Sequence, residues 1–149
     1  MELSDKIEIS APIQTVYDAL NNVDILKKCI PGCEELIKTS DDQLAVKVLL
    51  KVGPVKARYS GHVNLDVSAG PEKFSLSGQG FGSAAGFAKG GADVTLSQRS
   101  GVTVLSYTAK AKIEGKVAKL GSPLIKSTAK KLATKFFKTF SEIFVEEAK

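Results

Sequence analysis

From Ser122 to Lys149 the apolar residues Ile125, Ala129, Leu132, Ala133, Phe136, Phe140, Ile143 and Phe144 recur at helical spacing, which gathers them on one wide face. Gly121 releases what precedes, and Ser122-Pro123 reads as an N-cap followed by proline at the first helical position. Lys126, Lys130, Lys131, Lys135 and Lys138 fill the polar side. Glu142, Glu146 and Glu147 gather late, at the end of the helix dipole that suits carboxylates less well.

The rest of the chain reads as a sheet that this helix must cover. Lys6 to Ser10 alternates Ile7 and Ile9 with charged neighbours, a half-exposed first strand. Pro12 opens a short helix with Val16, Tyr17, Ala19 and Leu20 on its apolar face. Val23 to Cys29 is a second helical piece that stops before Pro31-Gly32.

From Glu34 the period becomes two and stays so for about eighty residues. Ser40-Asp41-Asp42 turns the first hairpin into Leu44, Val46, Val48, Leu50 and Val52. Val55, Ala57, Tyr59, Gly61, Val63, Leu65 and Val67 then point one way, with Lys56, Arg58, Ser60, His62, Asn64 and Asp66 opposite. Phe74 to Gly78 and Ala88 to Leu96 follow, with Gly90, Ala92, Val94 and Leu96 inward. The last strand faces Thr103, Leu105, Tyr107, Ala109, Ala111 and Ile113 inward.

The glycines at 78, 80, 82, 86, 90 and 91 weaken strand packing; they permit sharp curvature or leave room for something other than side chains. An antiparallel sheet with one apolar face must be covered, and the C-terminal helix is the one element large enough. The predicted fold is therefore α+β: a curved antiparallel sheet of about seven strands wrapped around a long C-terminal helix in a helix-grip arrangement, with two short helices after the first strand, all in one domain spanning 1–149.

Composition changes this picture little. The net charge of +5 is compatible with anionic partners, but the excess is lysine, and Arg58 and Arg99 are the only arginines for bidentate contacts. No nucleic-acid partner follows from that bias. The N-terminus lacks the basic and apolar regions of a signal peptide, and no apolar run approaches the ~18 residues of a membrane span, so the expectation is a cytoplasmic chain.

Candidate chemistry is sparse. Cys29 and Cys33 flank Ile30-Pro31-Gly32, and with one histidine in the chain the four ligands of a closed zinc site are not available. A disulfide across the turn is disfavoured in reducing cytoplasm, leaving a turn between two small apolar residues as the preferred reading. Gly78-Gln79-Gly80-Phe81-Gly82 contains GxGxG, yet it lies between antiparallel strands, not between a parallel strand and a helix as a dinucleotide fingerprint does. His62 falls on the outward face, so neither a serine nor a cysteine can be paired with an inward base. Side-chain catalysis and metal binding are not expected. The stacked phenylalanines read as core, or as core that leaves a lipophilic cavity. The small inward residues of the sheet favour the cavity.

Four stretches, Ile30-Pro31-Gly32-Cys33, Val52 to Gly61, Ala84 to Val94 and Lys119-Leu120-Gly121-Ser122, resemble the CoxG family associated with carbon monoxide dehydrogenase, nearly end to end. That family belongs to the START-like, or Bet v 1-like, superfamily of helix-grip folds that hold hydrophobic ligands. The resemblance implies a non-catalytic accessory protein of a molybdenum hydroxylase, linked to membrane recruitment and to a lipophilic electron acceptor such as a quinone. No covalent cofactor is implied. The inward residues then give an expected lining of Val46, Val48, Tyr59, Phe74, Leu76, Phe87, Val94, Leu105, Tyr107, Leu132, Phe136 and Phe140 for a quinone or isoprenoid-like ligand. Tyr59 and Tyr107 bring hydroxyls that suit a quinone carbonyl.

The other reading is a ligand-free docking or assembly factor that engages the dehydrogenase through Pro31, Gly32 and Cys33 and through Lys130, Lys131 and Lys138. Family members often carry a tail beyond the last helix, whereas this sequence ends five residues after Phe144. The expectation is therefore transient contact at the inner face of the membrane through an exposed Phe137 and its lysine neighbours, not permanent anchoring. The cavity mouth is expected between the start of the long helix and the Pro31-Gly32 turn.

Overall fold

The computed structural model describes residues 1–83 and 85–147, except the side chains of 146 and 147. Ala84, the late carboxylates of Glu146 and Glu147, and the chain end at Lys149 lie outside what is described.

Seven antiparallel strands form one sheet: β1 Glu2–Ile9, β2 Cys33–Ser40, β3 Gln43–Val52, β4 Val55–Asp66, β5 Lys73–Gly82, β6 Gly86–Arg99 and β7 Val102–Glu114. Their order is β1-β7-β6-β5-β4-β3-β2, which sets β1 and β2 at opposite edges. Two short helices, α1 Ile13–Leu20 and α2 Val23–Cys29, fill the link between those edges. A one-turn 3₁₀ helix, Val117–Leu120, leads into the long α3, Ser122–Glu147. This is the START/Bet v 1-like helix-grip fold that the alternation predicts.

Three local differences have physical causes. β1 begins at Glu2, not Lys6, because it pairs along its length with β7 from Glu2 opposite Lys110 to Ile9 opposite Thr103, although Ser4, Asp5 and Lys6 hide the period of two. Ile125 N–H donates to the Gly121 carbonyl at 3.2 Å, so Gly121 is the cap and Ser122 already lies in the helix. The 3₁₀ turn has no apolar period of its own; the Val117 amide donates to the Ala85 carbonyl at 3.2 Å, fixing the turn on the β5–β6 end. At α2, Asn22 accepts from the Ile25 amide at 3.2 Å and caps the helix as its residue type favours.

The interior is packed at two ends. At one, Ile9, Val16, Cys29, Leu96, Leu105, Phe140 and Phe144 form a dense core under α1 and α2. At the other, Val52, Ala57, Tyr59, Ala85 and Val117 pack against Leu124 and Ile125 of α3. One helix face therefore serves both plugs, and its middle spans the gap between them.

Candidate functional site

Between the plugs lies an apolar cavity of about 450 Å³, within the range that holds a small organic ligand. α3 contributes Ala129, Leu132, Ala133, Phe136 and Phe137; the sheet contributes Leu44, Val46, Val63, Leu65, Phe74, Leu76, Ala92, Val94, Leu105, Tyr107 and Ala109. Met1, Leu3, Leu20, Leu26, Ile30 and Leu36 complete the wall. Apart from the Tyr107 hydroxyl every lining side chain is apolar. Burial raises the Tyr107 phenol, and the nearby Asp5 carboxylate adds to it, so this group is a neutral donor.

Of the expected lining, Val46, Phe74, Leu76, Val94, Leu105, Tyr107, Leu132 and Phe136 stand in this wall. The other four do not. Phe140 is fully buried in the lower plug, stacked on Phe136 at 6.0 Å and edge-on to Phe144 at 5.1 Å. Phe87 is opposite Phe81 in register, on the alternate parity to the inward Ala88 and Gly90, so it belongs to the outer face, where Phe81 is 62% exposed. Val48 and Tyr59 line a second, smaller chamber of about 330 Å³ over the glycine-rich middle of the sheet. The two chambers share Val46, Val63 and Leu76 as a common wall. His62, half-buried, and Gln79 opposite it border the smaller chamber.

Leu3, Ala109, Ala129, Ala133 and Phe137 line the cavity in addition to the expected residues, and the small ones carry a signal that the sequence does contain. Ala129 and Ala133 lie on the helix face that the period identifies, and small residues there hold α3 away from the sheet without filling the gap. Phe137 is not exposed as expected. It is half-buried, stacked on Tyr107 at 5.5 Å and edge-on to Phe136 at 5.0 Å.

A surface groove of about 590 Å³ runs between edge strand β1 and α3. Lys126, Lys130 and Lys138 border it from the helix and Glu2 and Asp5 from the strand. It shares Leu3, Tyr107, Ala133 and Phe137 with the cavity. The Tyr107–Phe137 pair thus separates the cavity from solvent on this side, a different place from the turn-side mouth that the sequence suggests.

The two halves of the expected docking surface are not brought together. The Pro31-Gly32 turn leads into β2, whereas Lys130 and Lys138 flank the groove along β1 at the opposite edge of the sheet, and Lys131, though exposed, does not border it. The turn is also bound inward. Gly32, at φ 72°, accepts from the Leu49 amide at 2.9 Å, and a Cβ there would collide with the Leu49 carbonyl. Pro31 and Cys33 are half-buried.

Cys29 and Cys33 are both free thiols, Cys29 buried and Cys33 partly so. Burial pushes both thiols up, against the smaller opposing pull of Lys28 on Cys29, and of the Glu35 backbone and Lys27 on Cys33. Neither is an activated nucleophile. Among the described residues no group of His, Cys, Asp or Glu side chains is arranged to hold a metal ion, and no helix is long and apolar enough to cross a membrane. Both arginines are engaged on the surface, Arg58 with Glu34 at 2.8 Å and Arg99 with Glu8 at 3.2 Å.

A conserved protein from Geobacillus kaustophilus is similar in structure with a TM-score of 0.90 and 26% identity, over 98% of this chain and 96% of that one. A START superfamily protein from Mycobacterium smegmatis superposes with a TM-score of 0.69 at 12% identity, over 97% of both chains. The Zhui aromatase/cyclase from Streptomyces sp. R1128 also gives 0.69, at 10% identity over 100% of this chain and 96% of its own, a likeness of fold alone. No curated protein matches in sequence. Residues 6–144 match the carbon monoxide dehydrogenase CoxG family, and with nearly the whole chain covered the protein belongs to that family.

Proposed function

We propose that the protein is a non-catalytic accessory of a carbon monoxide dehydrogenase-type molybdenum hydroxylase system, and that it carries a quinone or similar isoprenoid lipophile between sheet and α3. The observation that carries this reading is the apolar cavity of about 450 Å³, held open between two packed plugs. A core that served stability alone would close such a space, because unfilled volume costs about 24 cal/mol per Å³. The wall offers no carboxylate, imidazole or thiol to a reacting group. That favours carriage over the chemistry of an enzyme such as the aromatase/cyclase of the same fold.

Uptake from a bilayer is the step that the basic groove suits. Lys126, Lys130 and Lys138 stand beside the passage that Phe137 and Tyr107 close, so contact with anionic headgroups sets that passage at the membrane surface. The protein then acts at the inner face of the cytoplasmic membrane without anchoring there.

Mass spectrometry of an organic extract, from protein purified out of a quinone-containing host, tests the reading. A stoichiometric quinone or isoprenoid, absent from a denatured control, is the expected result. Protein that is empty and also takes up no added quinone overturns it. A low-salt pull-down tests the hydroxylase partnership separately, with a retained molybdenum hydroxylase expected.

A further inference from the structure

Tyr59 is the one residue whose chemistry the packing leaves unexplained. It is 8% exposed, its ring lines the smaller chamber, and its buried hydroxyl has no hydrogen-bond partner among the described residues. An unsatisfied buried hydroxyl costs about 1–3 kcal/mol, and a phenylalanine would fill the same space without that cost. Burial also raises the phenol, so it is a neutral O–H donor at physiological pH.

The floor beside it is bare. Gly61 is required by the sheet itself, since a Cβ there would collide with the Gln79 carbonyl. Gly80 is different. A Cβ on Gly80 meets nothing closer than 3.5 Å, from the Ser60 carbonyl and the Tyr59 Cβ, so close strand approach does not demand glycine at this position. Its effect is to leave flat, unfilled space next to the Tyr59 ring, in a chamber that shares a wall with the main cavity.

We infer that the Tyr59 hydroxyl is the polar anchor of the ligand site: it donates a hydrogen bond to a carbonyl oxygen on a flat head group that lies over Gly80, while the apolar remainder of the ligand fills the larger chamber. This rests on the carriage reading and narrows it to an elongated lipophile with an acceptor at one end. It also divides the two inward tyrosines. Tyr107 stacks on Phe137 at the groove, and Tyr59 holds the far end.

The test uses two probes of matched shape, a decyl-substituted naphthoquinone and the corresponding decylnaphthalene without carbonyls, in titrations against wild type, Tyr59→Phe and Gly80→Val. Wild type is expected to bind both, the quinone more tightly. Tyr59→Phe should weaken the naphthoquinone about tenfold, leave the decylnaphthalene unchanged and melt no lower than wild type when empty. Gly80→Val should weaken both probes, because it fills the floor under either ring. Equal quinone affinity in Tyr59→Phe and wild type overturns the anchor, as does a lower melting temperature of empty Tyr59→Phe, which would give the hydroxyl a structural partner. Unchanged binding of both probes by Gly80→Val removes the head group from this chamber. Wild type that binds neither probe overturns the carriage reading itself, a result distinct from the others.

Discussion

Tyr107 lies against Phe137 with ring centroids 5.5 Å apart and planes 18° from parallel, so a strand residue and a helix residue close one wall between the cavity and the β1–α3 groove. β1 is an edge strand, and the helix opposite carries Ala133 and Thr134 beside Phe137, so little else blocks that side. Phe137→Ala should therefore speed ligand release several-fold while costing about 1–3 kcal/mol of stability, less than a fully buried phenylalanine. Stopped-flow release of a fluorescent lipophile measures it. An unchanged off-rate would mean that ligand leaves elsewhere.

Phe136 and Phe140 stack on one another, 6.0 Å apart, yet they belong to different parts of the interior. Phe136 is half-buried in the cavity wall, and Phe140 has no exposed surface in the lower plug. Phe140→Ala should cost about 3–5 kcal/mol, with little change in affinity for ligand once the protein is folded. Phe136→Ala should leave a folded protein that binds a lipophile more weakly. Denaturant melts together with ligand titrations on both variants separate the two roles; equal losses of affinity would contradict the division.

The same pair marks what is legible in the sequence. The period of two along β3 to β7 and the helical period of α3 reveal the sheet, its inward face and the helix that covers it, because each is a local pattern. Parity says which face a residue occupies but not how far along the strand α3 crosses. Val48 and Tyr59 therefore lie on the inward face but beside the upper plug and the smaller chamber, and Phe140 lies beyond the cavity's lower end. Phe87 is another matter. Its outward parity is readable from Gly90 and Val94, and its aromatic character alone suggests a lining role. The Phe137 contact needs the register of β7 against α3, which no local pattern contains.

Thr103 illustrates a polar residue at an inward position that parity does reveal. It has no exposed surface, and its hydroxyl donates to the Ala11 carbonyl at 2.6 Å, tying the entry of α1 to β7. Thr103→Val keeps the shape and strands that carbonyl, so it should lower unfolding free energy by about 1–3 kcal/mol. Urea unfolding reads the loss. Affinity for lipophile should stay within error, because Thr103 is not in the cavity wall.

Glu34 and Arg58 join the start of β2 to β4 across the outer face, with Arg58 Nε donating to Glu34 Oε1 at 2.8 Å and Nη2 to Oε2 at 3.0 Å. These hydrogen bonds chiefly, with the charges of Arg58 and Lys47 adding, hold the carboxyl below its ordinary 4.5. A carboxyl whose pKa is depressed by folding contributes its stability in full above the unfolded value and loses it as pH falls through the folded value. Glu34→Gln has no such proton to take up. The stability curves of wild type and Glu34→Gln should therefore differ by a small constant amount at neutral pH and draw together below about pH 4.5. The difference should also shrink in high salt, since the pair is solvent-exposed and screened. An offset that persists unchanged at low pH would assign the contribution of Glu34 to packing or neutral hydrogen bonding, and ionisation would have no part in fastening the β2 edge to the sheet.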